Sequence, residues 1–302
     1  MTVPAAYLGI ILIWSTTPLA IQWSSEGVGF LFGVTVRMFI AVSVCIILLR
    51  LLRITLRWQG QEGMTYLASS MGIYLAMMSV YWGAQFIPSG LVSVLYGLLP
   101  IATTLVSAIW FRESFYQPKK LFSLVLGVLG LFVIFSPTFD IDGGDLMFFG
   151  ALGVLASVII HAVSMVWIKR IGAEVNPLAM TTGGLVIATP LYLLTWGLVD
   201  GHWPESVLSS AALSIVYLGV IGSVVGFVLY YYVLKNLAAE AVSLITLITP
   251  VCALMLGYWI NNERLDVYML FGVVLIMLAL ITHQFSTLYE KKLEKKKVKI
   301  NN

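Results

Sequence analysis

The residue of this chain with the clearest chemical potential is Arg37, which lies within a long apolar segment. If segment 28–49 is a helix, Arg37 lies roughly 13 Å from the start of that segment. A guanidinium forms two parallel hydrogen bonds to a carboxylate or a phosphate. We therefore interpret Arg37 as a clamp for a substrate anion or as a gate. The alternative is a structural arginine that bonds backbone carbonyls or extends outward to water.

A histidine, His161, lies well inside another apolar segment, on the same helical face as Ser157 and Ser164. A histidine in this position can bond a substrate or relay a proton. The alternative is a neutral core histidine whose hydrogen bonds are satisfied within the protein. Both interpretations remain open from the sequence.

Small and polar residues recur at helical spacing in two matching segments. The first segment contains Ser89, Ser93, Tyr96, Pro100, Thr103 and Ser107. The second, offset by 150 residues, contains Ala239, Ser243, Thr246, Pro250, Ala253 and Gly257. Each proline leaves the carbonyl four residues earlier without its usual donor. We interpret the two faces as a substrate-facing wall with hinges at the prolines, and close helix packing through small residues is the alternative.

Aromatic residues complete the candidate site. Trp14, next to Ser15, lies deep in an apolar segment, as do Tyr81 and Tyr96, and such rings can stack on a planar or cationic substrate. The predicted substrate-binding residues are Trp14, Ser15, Arg37, Tyr81, Ser93, Tyr96, His161, Ser164, Tyr231, Ser243 and Thr246, with Pro100 and Pro250 as hinges.

The elements that position these residues are membrane-spanning helices. The chain of 302 residues is 60% hydrophobic and only 10% charged, whereas a soluble protein carries about 25% charged residues. Apolar segments of roughly 20 residues, each long enough to cross a bilayer, predict an all-α membrane protein. We predict ten spans at about 4–22, 28–49, 64–84, 88–111, 120–137, 146–168, 177–199, 208–233, 238–260 and 267–285.

The chain also repeats itself. Residues 81–113 align without a gap onto residues 231–263, so Pro100 matches Pro250 and Glu113 matches Glu263. Five spans in each half is an odd number, so the second half must enter the membrane from the opposite side. We therefore predict two inverted five-helix repeats, 4–137 and 146–285, around a central cavity, an architecture typical of secondary transporters.

Basic residues predict the orientation of the chain. Under the ten-span prediction, fifteen of the seventeen Lys and Arg residues lie on the side of the amino terminus, Arg264 lies on the other side, and Arg37 lies within a span. Positive charge accumulates on the cytoplasmic side of membrane proteins. We expect both termini to be cytoplasmic, with a lysine-rich tail at 286–302 that either binds anionic headgroups or remains solvated.

The positions of the other reactive residues argue against several functions. Cys45 and Cys252 lie singly in apolar segments, which predicts neither a disulfide framework nor a metal site. All fourteen Asp and Glu residues fall in loops, tails or span ends. An enzyme that acts on lipid or isoprenoid groups needs paired acids, metal ligands or a nucleophile with its base. We therefore predict a non-enzymatic protein without a cofactor, and we disfavour antiport of cationic drugs against protons.

At this point the motifs resemble the drug/metabolite transporter superfamily, in the form with two EamA repeats. The resemblance covers residues 5–285. In the first half it rests on Leu12–Ser15, Arg37, Tyr81–Ala84, Leu91–Ser93, Pro100, Glu113 and Gly127–Gly130. In the second half it rests on Tyr230–Lys235, Ala241–Ser243, Pro250, Glu263 and Gly272. The resemblance implies a ten-helix bundle in a bacterial inner membrane that exports metabolites, often amino acids.

Together these features predict a carrier for small zwitterionic or anionic metabolites that works by alternating access, most readily as an exporter. The carrier would move its substrate down a concentration gradient, or would couple transport weakly to protons through His161. The alternatives are an uptake carrier and, less favoured, a channel or membrane sensor. The expected partners are the substrate and the lipid bilayer, with no nucleic acid, and the protein is expected to be a monomer or a weak dimer.

Overall fold

The structure is a computed structural model that describes residues 2–111, 118–136, 144–236 and 245–301. Within these ranges the chain is all-helical, as predicted, and contains no strand. Of the predicted site, Ser243 and the side chain of Tyr231 lie outside the described part of the chain, as does Glu113.

The helices follow the apolar segments of the sequence. They are α1 (Val3–Trp23), α2 (Phe30–Leu51), α3 (Gly60–Met71), α4 (Met77–Gly83), α5 (Ser89–Gly97), α6 (Leu99–Phe111), α7 (Pro118–Phe135), α8 (Gly144–Ile171), α9 (Pro177–Val199), α10 (Ser209–Tyr217), α11 (Gly226–Asn236), α12 (Ile245–Ile260) and α13 (Val267–Asn301). A helix satisfies its own backbone hydrogen bonds, which makes it stable in hydrocarbon. Large apolar side chains such as Leu12, Phe132 and Leu198 are exposed on the outside of the bundle, where lipid can cover them.

Seven helical stretches in the described residues are long and apolar enough to cross a membrane. They are Val3–Trp23, Phe30–Leu51, Ser89–Trp110, Leu146–Ile171, Pro177–Val199, Ser209–Tyr230 and Val267–Ser286. Two of the other predicted spans appear as shorter apolar helices, Lys120–Ile134 and Ile245–Ile260. The predicted span 64–84 is helical but is not among the seven, since polar residues fill its first turns. The chain is thus a multi-pass membrane protein.

Two stretches of π-helix interrupt the bundle at related places in the two halves. The first π segment (Gly72–Ala76) joins α3 to α4, and the second π segment (Leu218–Val225) joins α10 to α11. With the repeat offset of 150 residues, the first segment falls on residues 222–226 and overlaps the second. A π turn widens the helix and leaves some carbonyls without their usual donors, and such turns concentrate at functional sites. The amino-acid pattern did not predict these interruptions.

The two candidate hinge prolines have different surroundings. The helix breaks at Leu98, two residues before Pro100, and this break separates α5 from α6. In contrast, α12 continues through Pro250, which is buried. A helix interruption was expected at both prolines. The structure shows one beside Pro100 and none at Pro250.

Packing brings matching helices of the two halves together. The pairs α2 and α9, α5 and α12, and α7 and α13 all lie in contact. Glycines permit the closest of these crossings: a Cβ atom on Gly130 would lie 2.8 Å from the carbonyl oxygen of Gly272, and one on Gly272 would lie 2.6 Å from the carbonyl oxygen of Gly130. Helices in lipid associate through such close contacts.

Candidate functional site

Arg37 lies in α2 with its side chain inside the bundle, and only 6% of the residue is exposed. One terminal nitrogen, Nη1, donates to the hydroxyl of Tyr81 at 3.0 Å, and the guanidinium carbon lies 5.7 Å from the centre of the same ring. The other, Nη2, donates to Ser223 Oγ at 3.4 Å. The third nitrogen, Nε, is buried and has no hydrogen-bond partner among the described residues. Arg37 is thus a buried cation whose described partners are neutral hydroxyls.

The second π segment helps to position Arg37. Ser223 belongs to this segment, and its hydroxyl donates to the carbonyl oxygen of Leu218, five residues earlier, at 2.9 Å. Gly219 allows the close approach, because a Cβ atom there would lie 3.2 Å from the backbone oxygen of Arg37. The π turn therefore places one oriented hydroxyl against the guanidinium.

Tyr192 contacts the first π segment, as Arg37 contacts the second. It lies in α9, the helix that matches α2 in the repeat, and it is fully buried. Its hydroxyl can donate to the carbonyl oxygen of Ile73, at 2.7 Å, or to that of Tyr74, at 3.1 Å, and both carbonyls belong to the first π segment. In each half, then, a long polar side chain on the second helix reaches the π segment of the other half.

Tyr96 and His161 form a second polar group beside the first π segment. The hydroxyls of Tyr96 and Ser157 are hydrogen-bonded, and Ser157 Oγ also donates to the carbonyl oxygen of Ala76 at 2.6 Å. Because Ser157 donates to Ala76, Tyr96 is the donor to Ser157. The rings of Tyr96 and His161 lie 6.4 Å apart, and His161 Nδ1 is buried without a described partner.

The structure distributes the other predicted site residues over several places. Trp14 contacts Tyr230, with ring centroids 5.3 Å apart, in a separate cluster between α1 and α11. Ser15 is buried and its hydroxyl has no described partner, and Ser93 is also buried. Ser164 donates to the carbonyl oxygen of Ala68 at 2.7 Å, a contact that joins α8 to α3. Thr246 accepts a hydrogen bond from Gln284 at 3.4 Å.

Of the predicted residues, the structure therefore brings Arg37 and Tyr81 into direct contact, and Tyr96 close to His161. Sequence reasoning missed Tyr192 and Ser223. The repeat offset relates Ser223 to Ile73, but serine and tyrosine are common in apolar helices, so neither residue stands out from the pattern. Their role depends on the π segments, which the amino-acid pattern does not predict.

At the end of the bundle near Glu263, a polar network joins helices of the two halves. Glu263 follows α12, and its two carboxylate oxygens accept hydrogen bonds from the backbone N–H groups of Ser89 at 3.0 Å and Gly90 at 3.3 Å. These groups begin α5, where helix donors lack internal partners and the helix dipole favours an anion. The beginning of α5 therefore lies beside the end of α12.

Side chains of α1 extend this network. Asn261 Nδ2 donates to Glu263 at 3.0 Å and to Gln22 Oε1 at 3.3 Å, and Trp23 Nε1 donates to Asn261 at 3.1 Å. Gln22 Nε2 in turn donates to the carbonyl oxygens of Ala84 at 3.1 Å and Ile87 at 2.7 Å. The network holds together α1, the α4–α5 connection and the end of α12, and so closes this end of the bundle.

Replacing Glu263 with glutamine is expected to loosen this closed end. The amide keeps an acceptor but loses the negative charge, and charge-assisted hydrogen bonds are worth about 1.5–3 kcal/mol. We expect a cysteine introduced at Ser89, which is buried, to react with a maleimide about tenfold faster in Glu263→Gln. The background would carry alanine at both native cysteines.

Asp266→Asn is the matched control for this change, because Asp266 is an exposed carboxylate three residues further along the chain. Equal labelling rates in Glu263→Gln and Asp266→Asn would show that the Glu263 carboxylate does not hold this end closed.

Comparison with known proteins identifies two copies of one family pattern. The EamA-like transporter family model matches residues 4–136 and 148–282. The transporter YoaV of Bacillus subtilis is 26% identical over 284 residues, a match that covers 92% of this chain and 96% of YoaV. A transporter of Archaeoglobus fulgidus is 28% identical over 204 residues, covering 66% of this chain and 68% of the relative.

A solved crystal structure also has a similar fold. It superimposes with a TM-score of 0.63 at 19% sequence identity, and the match covers 93% of this chain and 96% of the other. At this identity the likeness concerns the fold alone.

Proposed function

Because the chain belongs to the EamA-like transporter family, we propose that it is a secondary transporter for small metabolites that carry a carboxylate. The substrates are zwitterionic or anionic, and they cross a bacterial inner membrane by alternating access, in the direction of export. The proposed carrier has ten transmembrane helices in two inverted repeats, 4–137 and 146–285, with both termini in the cytoplasm.

The observation that supports this function most strongly is the surroundings of Arg37. A charged side chain inside a membrane protein is costly, and such residues usually mark a substrate or ion pathway. Its described partners are two hydroxyls, and its Nε–H remains unpaired. A carboxylate is the natural partner for this guanidinium, because it neutralises the charge and accepts two hydrogen bonds. Tyr81 and Ser223 hold the guanidinium in place for such a ligand.

Two observations support the inverted repeat. First, α5 and α6 together match the span that contains α12, and the carboxylate of Glu263 places the beginning of α5 beside the end of α12. Matching helices in opposite directions are expected only if the two halves are inverted. Second, α2 and α9 each reach the π segment of the other half, through Arg37 and Tyr192.

Alternating access requires the two ends of the bundle to open in turn. In the proposed cycle the network around Glu263 closes the extracellular end, and its opening releases the substrate. The interruptions at Leu98 and at the two π segments allow α5–α6 and the flanking helices to bend. Pro100 and Pro250 remain the proposed hinges.

Replacing Pro100 with alanine is expected to slow transport more than binding. Alanine restores a backbone donor beside the break at Leu98, and one additional hydrogen bond of about 1 kcal/mol corresponds to about a fivefold slower exchange. The effect of Pro250→Ala should be smaller, because α12 is continuous there. Counterflow rates and substrate affinities, measured on the same preparation, check this prediction.

Pro190→Ala is the matched control, since Pro190 lies inside α9 and is exposed. Exchange rates that are the same in Pro100→Ala, Pro190→Ala and the unmodified protein would remove Pro100 from the hinge.

The transport function itself is tested in two steps. Purified protein is first screened by thermal shift against amino acids, nucleosides and organic acids. The compound with the largest stabilisation is then used for counterflow in liposomes, with unlabelled compound inside and labelled compound outside. A carrier gives transient accumulation of label, whereas a channel gives simple equilibration. A screen without a carboxylate among its hits, or equilibration without accumulation, would contradict the proposed function.

A further inference from the structure

We infer that the substrate is a net-anionic organic acid rather than a zwitterion, and that the membrane potential drives its efflux electrogenically. This inference rests on the proposed carboxylate site at Arg37 and narrows the substrate class of that site. It also supplies a driving force for export that requires no coupling ion.

The charge at Arg37 favours a substrate with a net negative charge. Arg37 is 6% exposed, its terminal nitrogens donate to the hydroxyls of Tyr81 and Ser223, and its Nε–H has no partner among the described residues. The described site therefore carries an uncompensated positive charge. A substrate carboxylate would bring the local charge to zero, whereas the ammonium group of a zwitterion would restore the positive charge and repel Arg37 in a medium of low dielectric constant.

An ammonium group would need hydrogen-bond acceptors near the guanidinium. Three carbonyls of the first π segment already face protein hydroxyls: the Tyr192 hydroxyl lies within hydrogen-bond distance of Ile73 and Tyr74, and Ser157 donates to Ala76. In the second π segment, the carbonyl of Leu218 accepts from Ser223. Protein hydroxyls thus already lie against these carbonyls of the two π segments.

Carboxylates and aromatic rings are the other common partners of an ammonium group. The sequence predicts that the fourteen Asp and Glu residues lie in loops, tails or span ends, and Glu263 is engaged with the beginning of α5. The ring of Tyr81 already lies against the guanidinium. Among the described residues, the site therefore offers a carboxylate a charged partner, whereas it offers an ammonium group only neutral ones.

The membrane potential would drive the export of such an anion. Arg37 is part of the carrier and stays in the membrane through the whole cycle, so the net charge moved per cycle is that of the substrate. Bacterial membranes are negative inside. Moving one elementary charge across a potential of about 100 mV changes its free energy by about 2.3 kcal/mol. This corresponds to an outward concentration ratio of about 50-fold for a monovalent anion.

The experiment begins with pairs of compounds that differ in net charge and little in shape. Phenylalanine is compared with N-acetylphenylalanine, and alanine with N-acetylalanine, by thermal shift of the purified protein. Acetylation removes the ammonium charge and leaves the carboxylate. We expect each N-acetyl compound to bind at least tenfold more tightly than its parent amino acid. Tighter binding of the zwitterions would overturn the inference and leave the carboxylate carrier in place.

The second measurement is efflux from liposomes loaded with the better-bound N-acetyl compound. Valinomycin and a potassium gradient set the potential, and a protonophore added under these conditions distinguishes proton coupling through His161. We expect an inside-negative potential to accelerate net efflux, an inside-positive potential to slow it, and the protonophore to have no effect at a clamped potential.

The possible outcomes separate the two proposals. Normal counterflow with efflux that ignores the potential would overturn electrogenic transport but support the carrier. Efflux that collapses with the protonophore at a clamped potential would also overturn it. Failure of every carboxylate to bind or to exchange would contradict the proposed function itself.

Discussion

Replacement of Arg37 by glutamine is expected to reduce carboxylate transport about 100-fold without a loss of protein stability. The loss of function follows because a buried charge pair with a substrate contributes about 2–5 kcal/mol, and 2.7 kcal/mol corresponds to a factor of 100. Stability should be preserved or increased, since the variant no longer buries a charge whose described partners are only neutral hydroxyls. Transport rates and melting temperatures on the same preparation check both parts.

Two further variants make this test specific. Arg50→Gln, at the exposed end of the same helix, should transport normally. Arg37→Lys keeps the charge but loses the planar fork, so it should recover only part of the activity. If Arg37 is instead a structural residue that anchors Tyr81 and Ser223, then Arg37→Gln will lower the melting temperature. Such a decrease with normal transport in the folded fraction would remove Arg37 from the site.

The second large effect is expected from Gly272→Val, where α13 crosses α7. A side chain at Gly272 would overlap Ile134 and approach the carbonyl oxygen of Gly130, for which a Cβ atom would be only 2.6 Å away. Both helices are buried at this point, with Ile134 2% exposed. Forcing the helices apart costs about 3 kcal/mol in a close-packed contact. We expect a melting temperature lower by roughly 6–12 °C.

Gly197→Val is the matched control for this packing prediction, because a Cβ atom on Gly197 has no atom within 4 Å. Both proteins are purified in the same detergent and compared by melting temperature and by the fraction that elutes as a single species. Equal stability of the two variants would show that the Gly130–Gly272 crossing does not hold α7 and α13 together.

The helical architecture was predictable because apolar length is a direct physical requirement of the bilayer. Every predicted span is mostly helical over its described residues, and seven helical stretches meet the requirement for crossing a membrane. The span predicted at 64–84 meets it less well, since α3 begins with polar residues. Side-chain size and polarity therefore determine where helices form, but only partly which helices cross.

The interruptions of the helices were less predictable. Pro100 was expected to disrupt its helix and lies beside the break at Leu98, whereas the helix at Pro250 is continuous. The missing proline hydrogen bond is the same in both halves, so tertiary packing decides whether it produces a break. The two π segments accept hydrogen bonds from side chains of α2 and α9, which are distant in sequence.

The candidate site shows the same division. Arg37 was identifiable because a charge in an apolar segment is rare and costly. Its neighbour Ser223 and the related residue Tyr192 were not identifiable, since polar uncharged residues occur throughout membrane helices. The repeat identified Glu263 only as the match of Glu113, and the structure shows that its carboxylate contacts the beginning of α5 in the other half.

The central claim is that Arg37 binds the carboxylate of a substrate that a carrier exchanges across the membrane. Counterflow in liposomes, with the best-bound carboxylate from the screen, tests it most directly in the unmodified protein and in Arg37→Gln. The account predicts that label accumulates transiently in liposomes that contain the unmodified protein or Arg50→Gln. Liposomes that contain Arg37→Gln should show no accumulation of label. Equal accumulation in all three proteins would contradict it.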